Sequence, residues 1–302
     1  MKISGVLIAV GAALIVGCGS NKPSSLLASN ESNIIGGTLV PESSQLSKSV
    51  VGIYDNNEGF ICSGSLLPNN LVVTAAHCIG SKADGVYIVF APDMETLLNS
   101  DPAFLKSPLV RPVVALKANE QWSTKVDRNT PGNDIGLMKY SGTTPDGYVP
   151  ATLLNDTSLL KVGATVILAG YGVSSDKVVR VSLNTPNLQK LMNDGEVFCD
   201  TDDAKTAKQC IKEQLNGPSV LKATTVQVTE IDNDKETVLD EAHGHAACSG
   251  DSGGPAYIQV GDQYLLWGAT SRSGLGCNQD IVYTNVISYL DWIKQTAQSF
   301  GY

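Results

Sequence analysis

Short β-branched and apolar runs recur along most of this 302-residue chain, each closed by Gly, Pro, Asn or Asp before it reaches helical length. They lie at 50–54, 71–74, 86–90 and 110–116, then at 165–169, 224–228, 256–260, 264–270 and 281–284. A chain punctuated this often does not build long helices, so the pattern predicts an all-β sandwich or barrel. Gly261-Asp262 joins two of the runs as a hairpin turn would. The end departs from the pattern: residues 286–300 place Ile287, Leu290 and Ile293 at helical spacing, which predicts one amphipathic C-terminal α-helix.

Hydrophobic residues make up 42% and charged residues 17%, which excludes a disordered chain. The length suits one large domain or two compact ones. Acidic residues outnumber basic ones, 30 to 21, for a net charge of −9. That is the wrong sign for a nucleic-acid surface, and no nucleic-acid partner is expected.

Residues 1–17 carry one Lys and an apolar stretch at 6–16, too short to span a bilayer and placed where an export signal sits. Ile15-Val16-Gly17-Cys18 resembles the lipobox of bacterial lipoproteins, which implies a lipid on Cys18, a cell-envelope location and a membrane contact through that lipid alone. By the same resemblance, Gly19 leans toward outer-membrane sorting. The alternative is an ordinary secretory signal with an incidental Cys. Residues 18–33 are polar and Ser-rich and read as a tether or propeptide. Export permits disulfides, and six cysteines remain: Cys62, Cys78, Cys199, Cys210, Cys248 and Cys277. They form no CxxC pair, and no metal site or cofactor is expected. His243 and His245 supply too few ligands for a metal, and the acidic run 230–241 lacks the spacing of a calcium loop and reads as surface charge.

Three separated segments carry chemistry. Gly250-Asp251-Ser252-Gly253-Gly254-Pro255 sets a Ser among glycines, where the backbone can turn sharply and present the hydroxyl beside its N–H groups. A Ser hydroxyl is too weakly acidic to attack a carbonyl unaided, and His77 in Thr74-Ala75-Ala76-His77-Cys78 is the candidate base. An imidazole in that role needs a carboxylate to hold its tautomer, and Asp134 in Asn133-Asp134-Ile135-Gly136-Leu137 suits it.

These segments, in the order His, Asp, Ser, together with Ile34-Ile35-Gly36-Gly37, resemble the trypsin- and chymotrypsin-like serine endopeptidases from Ile34 to Tyr302. The resemblance implies two six-stranded antiparallel β-barrels, 34–149 and 150–302, with the active site between them. It implies His77 and Asp134 from the first, Ser252 from the second, and an oxyanion hole of the Gly250 and Ser252 N–H groups. Ser271 would support the Asp and the substrate backbone. Bridges Cys62–Cys78 and Cys248–Cys277 follow from the same resemblance, and Cys199 and Cys210 are paired by elimination, inside an insertion at 173–218 of unassigned role. The family activates when an amine freed before the Ile pairs with the Asp beside the nucleophile, here Ile34 and Asp251. The preceding Asn33 does not fit a trypsin-specific activator. A cut there would also part the enzyme, expected as a monomer, from Cys18.

For specificity, the resemblance places Ala246, followed by Ala247, where trypsin-like members carry a pocket-floor Asp, which implies uncharged side chains before the scissile bond. Ser273 and Ile281 replace usual glycines, and a branched Ile281 would shorten the pocket as in elastase-like members. The loop after Cys277 is about three residues shorter than usual, so Asp280 could instead occupy that place and restore a basic preference. Arg272 could neutralise Asp280, contact substrate, or sit in solvent. A non-catalytic binding module and an esterase are the rival functions.

Overall fold

The computed structural model describes residues 34–301, apart from 101–102, 127–129, 174, 194–195, 242, 275 and 278–279. The expected export segment, Cys18 and Asn33 lie outside the described residues.

Strands Val50–Asp55, Phe60–Leu67, Leu71–Thr74, Val86–Val89, Val110–Ala118 and Gly136–Tyr140 close into a six-stranded antiparallel barrel. Its interior is filled by Val51, Ile53, Leu66, Ile88, Met138 and Tyr140, all essentially without solvent contact. A second ring runs through Thr165–Gly170, Lys222–Ile231, Glu236–Asp240, Ile281–Asn285, Gln263–Ser273 and Pro255–Val260, and pairing of the Lys222 and Thr165 strands closes it. Val166, Leu168, Val228, Leu239, Trp267 and Tyr283 fill this one. The fold is thus two six-stranded antiparallel barrels with a C-terminal helix.

A third cluster draws on both barrels: Val50, Val73 and Leu137 from the first, Ala169, Tyr257 and Leu266 from the second. The Gln263–Ser273 strand is buried along nearly its whole length because it is covered on both faces, which explains why its sequence runs apolar instead of alternating. The Thr38–Leu39 strand crosses over, pairing with Ala223 and Lys222 of the second barrel.

The C-terminal helix spans Leu290–Ser299 and follows a 3₁₀ turn at Val286–Tyr289. That turn changes the phase of the expected stripe, because it advances about 3 residues per turn. Leu290 is therefore exposed, and Ile293, Thr296 and Ala297 face the inter-barrel cluster.

The 173–218 insertion forms its own three-stranded sheet, Ser175–Val181, Cys210–Asn216 and Phe198–Cys199, around a small core of Leu188, Val197 and Cys210.

Candidate active site

Asp134 follows Asn133, whose backbone adopts the left-handed region (φ 50°), a conformation Asn tolerates better than most residues. Lys235 Nζ and Tyr289 Oη both donate to the Asn133 side chain, at 3.2 and 2.9 Å, and fix this turn. The Asp134 carboxylate is 6% exposed and accepts three hydrogen bonds. Oδ1 takes the His77 backbone N–H at 3.0 Å, and Oδ2 takes His77 Nδ1 at 2.8 Å and Ser271 Oγ at 2.7 Å. Burial alone pushes this carboxyl up, but the His77 and Ser271 hydrogen bonds outweigh it and hold the group below the usual carboxylate range.

Ser271 reaches Asp134 because of a β-bulge. Thr270 pairs with Tyr283 and Arg272 with Val282, so Ser271 is the extra residue between them. His77 sits in a 3₁₀ turn, Ala76–Cys78, right after the Leu71–Thr74 strand, with its side chain 32% exposed toward the cleft.

The Ser252 loop packs against that turn. Gly253 has φ +74°, and a Cβ there would strike Thr74 Oγ1 and Ala75 N, so only Gly lets the loop approach the residues preceding His77. Ser63 ties the loop to the first barrel: its N–H donates to Ser252 O at 2.9 Å, and its Oγ donates to Gly250 O at 2.8 Å while accepting from Tyr171 N. Sequence reasoning missed Ser63, because nothing in the Phe60–Leu67 run marks one hydroxyl as an inter-barrel strut.

Cys62–Cys78 braces the His77 turn, closing a 16-residue span for which lost unfolded-state entropy is worth about 3 kcal/mol. Among the described residues, Cys248–Cys277 and Cys199–Cys210 are the other two bridges. Cys62, His77 and Cys78 bring potential metal-ligand atoms close together, but the two sulfurs are bonded to each other and offer no thiolate.

Beside Ser252 lies a cavity with about 180 Å³ of room for water-sized molecules, walled by Ala247, Ser271, Ser273, Ile281 and Glu213 among others. Ala246, expected at its floor, is fully buried outside this lining, its N–H committed to Ile35 O at 2.9 Å. Asp280 is exposed and also outside the lining, whereas Ile281 is 3% exposed and on the wall. Glu213, from the insertion, accepts from Gly276 N at 2.9 Å and thereby braces the loop tied by Cys277. No local pattern could reveal this contact between distant loops.

Two members of the acidic run are buried, which corrects the surface reading. Glu236 is fully buried in a bidentate pair with Arg272, at 2.7 and 2.9 Å, and also accepts from Gly132 N. Arg272 therefore neither neutralises Asp280 nor stands free in solvent. Arg272→Ala should strand a buried carboxylate at a cost of about 3 kcal/mol or more. Thermal unfolding should register this as a Tm lower by about 6 °C or more. Glu241, 1% exposed, accepts from Ala247 N behind the cavity wall, and burial raises its carboxyl well above the ordinary range. His243 is exposed, and His245 Nδ1 shares a hydrogen bond of 2.9 Å with Thr224 Oγ1.

The family model described as Trypsin matches residues 34–293. Over 273 residues the chain is 28% identical to chymotrypsin-C of Bos taurus, covering 88% of this chain and 89% of that protein. It is 27% identical to kallikrein 1-related peptidase b8 of Mus musculus (88% and 90% covered) and 27% identical to trypsin I-P38 of Gallus gallus (80% and 82%). With two barrels and a Ser-bearing cleft already described, the chain belongs to the trypsin family and is a serine endopeptidase.

Proposed function

We propose that this endopeptidase works through Ser252, His77 and Asp134. His77 takes the Ser252 proton as Oγ attacks the carbonyl carbon of the scissile bond, and returns it to the departing amine. Water then resolves the acyl-enzyme by the same exchange. The Gly250 and Ser252 N–H groups receive the oxyanion, each donor being worth about 3 kcal/mol. The observation that carries this reading is the Asp134 carboxylate, which binds His77 at both its ring and its backbone while Ser271 holds it from the second barrel.

Activation by cutting between Asn33 and Ile34 would place an ammonium near Asp251. That carboxyl is 1% exposed and is pushed up to about 6 by burial, although the Cys248 and Gly172 N–H groups partly offset this. The same cut would detach the enzyme from a lipid on Cys18, and the three disulfides fit an exported chain.

For the residue before the scissile bond we propose small or medium uncharged side chains, supported by Ile281 and Ala247 on the cavity wall. A second reading, cleavage after Arg or Lys, has one observation in its favour: the acidic residue Glu213 lines the same cavity. A peptide library, read with N-terminal sequencing and fluorophosphonate labelling, tests all parts together. An Ile34 start, a labelled Ser252 and cleavage after Ala or Val support the first reading. Cleavage after Arg or Lys that vanishes in Glu213→Gln supports the second. Ile281→Ala should extend cleavage to Leu and Phe by about 10- to 100-fold, the value of a few methylenes of pocket depth.

A further inference from the structure

The insertion at 173–218 has one sheet face that its own small core does not cover. Its three strands, Ser175–Val181, Cys210–Asn216 and Phe198–Cys199, run with Cys210–Asn216 in the middle. Residues directly opposite each other on neighbouring strands send their side chains to the same face, and successive residues alternate between faces. Cys210 stands opposite Val181 and Cys199, and these three pack with Leu188 and Val197 into the core of the insertion. The adjacent positions point the other way. Ile211 stands opposite Arg180 and Phe198, and Glu213 stands opposite Val178. Phe198 and Val178 are each 40% exposed, Ile211 is half-buried and Arg180 is exposed. Among the described residues, no hydrophobic cluster takes in Phe198, Val178 or Ile211.

Glu213 makes this face continuous with the cavity beside Ser252. It lines that cavity and accepts from Gly276 N at 2.9 Å, which fixes the sheet against the loop tied by Cys277. Two residues along a strand span about 6.7 Å and one strand spacing is about 4.8 Å, so Phe198 lies about 8 Å from Glu213 across the face. An extended chain covers that distance in about three residues. A polypeptide with one residue in the cavity can therefore lie at the same time on Val178, Ile211 and Phe198. A chain stretched in this way is locally unfolded, and it offers the apolar side chains that a folded protein hides.

We propose that the open face of the insertion sheet is a substrate-docking surface, which takes an extended apolar stretch of the substrate polypeptide outside the pocket, with an acidic side chain beside Arg180. The inference rests on the Ser252 reading above and extends it from the pocket to the length of chain that the enzyme prefers. Cys199–Cys210 pins the Phe198 strand to the central one, so the apolar side chains stand in place before substrate arrives and little is left to order on binding. The consequence is a protease that favours long unfolded chains over short peptides.

The test compares two substrates: a short peptide anilide carrying the pocket residue that the library selects, and reduced, alkylated serum albumin as an unfolded chain. Fluorophosphonate labelling of Ser252 counts active enzyme in every variant. Val178→Ser/Phe198→Ser should raise KM for the albumin by about tenfold, the scale of a few methylenes left unburied, and leave kcat/KM for the anilide within about twofold. Arg180→Glu should raise the albumin KM by about threefold or more and likewise spare the anilide. Phe198→Leu keeps the face apolar and should hold the albumin KM within about threefold of the unaltered enzyme. Equal losses on both substrates would mean that the face only supports the Cys277 loop, and would overturn the proposal, as would an unchanged albumin KM in the double variant. An unaltered enzyme that fails to label at Ser252 overturns the catalytic reading, and the proposal with it. Val178→Lys repeats the comparison if the double variant does not fold.

Discussion

Replacing Ser252 by Ala should lower kcat for peptide hydrolysis by about a millionfold and abolish fluorophosphonate labelling, with Tm nearly unchanged. The magnitude is that of removing the nucleophile from a triad whose members act as a unit. The fold should tolerate the change because the contacts that seat this loop run through the backbone: Ser252 O accepts from Ser63 N, and Gly254 N donates to Asp251 O. His77→Ala should fall to a similar floor. A Ser252→Ala/His77→Ala double variant should fall no further, since neither residue retains a chemical step without the other. Rates that multiply in the double variant would mean the two residues act separately.

The second large effect is expected from Asp134→Asn, about ten-thousandfold in kcat with little change in KM. The hydrogen bonds explain why a nearly isosteric change is so costly. Oδ2 receives donors from both His77 Nδ1 and Ser271 Oγ, and Oδ1 receives the His77 backbone N–H. An amide has one acceptor oxygen. If its NH₂ occupies the Oδ2 place, Nδ1 must become an acceptor, the ring proton moves to Nε2, and the imidazole can no longer take the Ser252 proton. If the NH₂ occupies the Oδ1 place, it opposes a backbone N–H. The first arrangement preserves fold and binding but has the wrong tautomer, so kcat should fall while KM holds. A collapse of Tm alongside kcat would instead show that Asp134 is needed to hold the two barrels together.

The residues proposed as the triad each stand in a compact local motif, and the structure brings two of them, His77 and Asp134, to 2.8 Å. An all-β fold was legible from the punctuated β-branched runs, and the two barrels only from the family resemblance. What stayed hidden depends on residues far apart in sequence. Glu236 reads as one more charge in an acidic run until Arg272, 36 positions later, is brought against it. Glu213 belongs to an insertion with no local sign that it reaches the pocket wall. Ala246 and Ala247 are neighbours that look interchangeable, yet one faces Ile35 and the other the cavity.

The three disulfides share a property of order. From Cys62 onward the cysteines bond in consecutive pairs: 62 with 78, 199 with 210, 248 with 277. Counting from Cys62, a polypeptide emerging from its N-terminus presents each partner before the cysteines of the later bridges. An oxidant that joins thiols in order from Cys62 onward would therefore reach these three bridges without reshuffling. Thiol trapping during refolding should show few mispaired species, in contrast to chains whose bridges interleave.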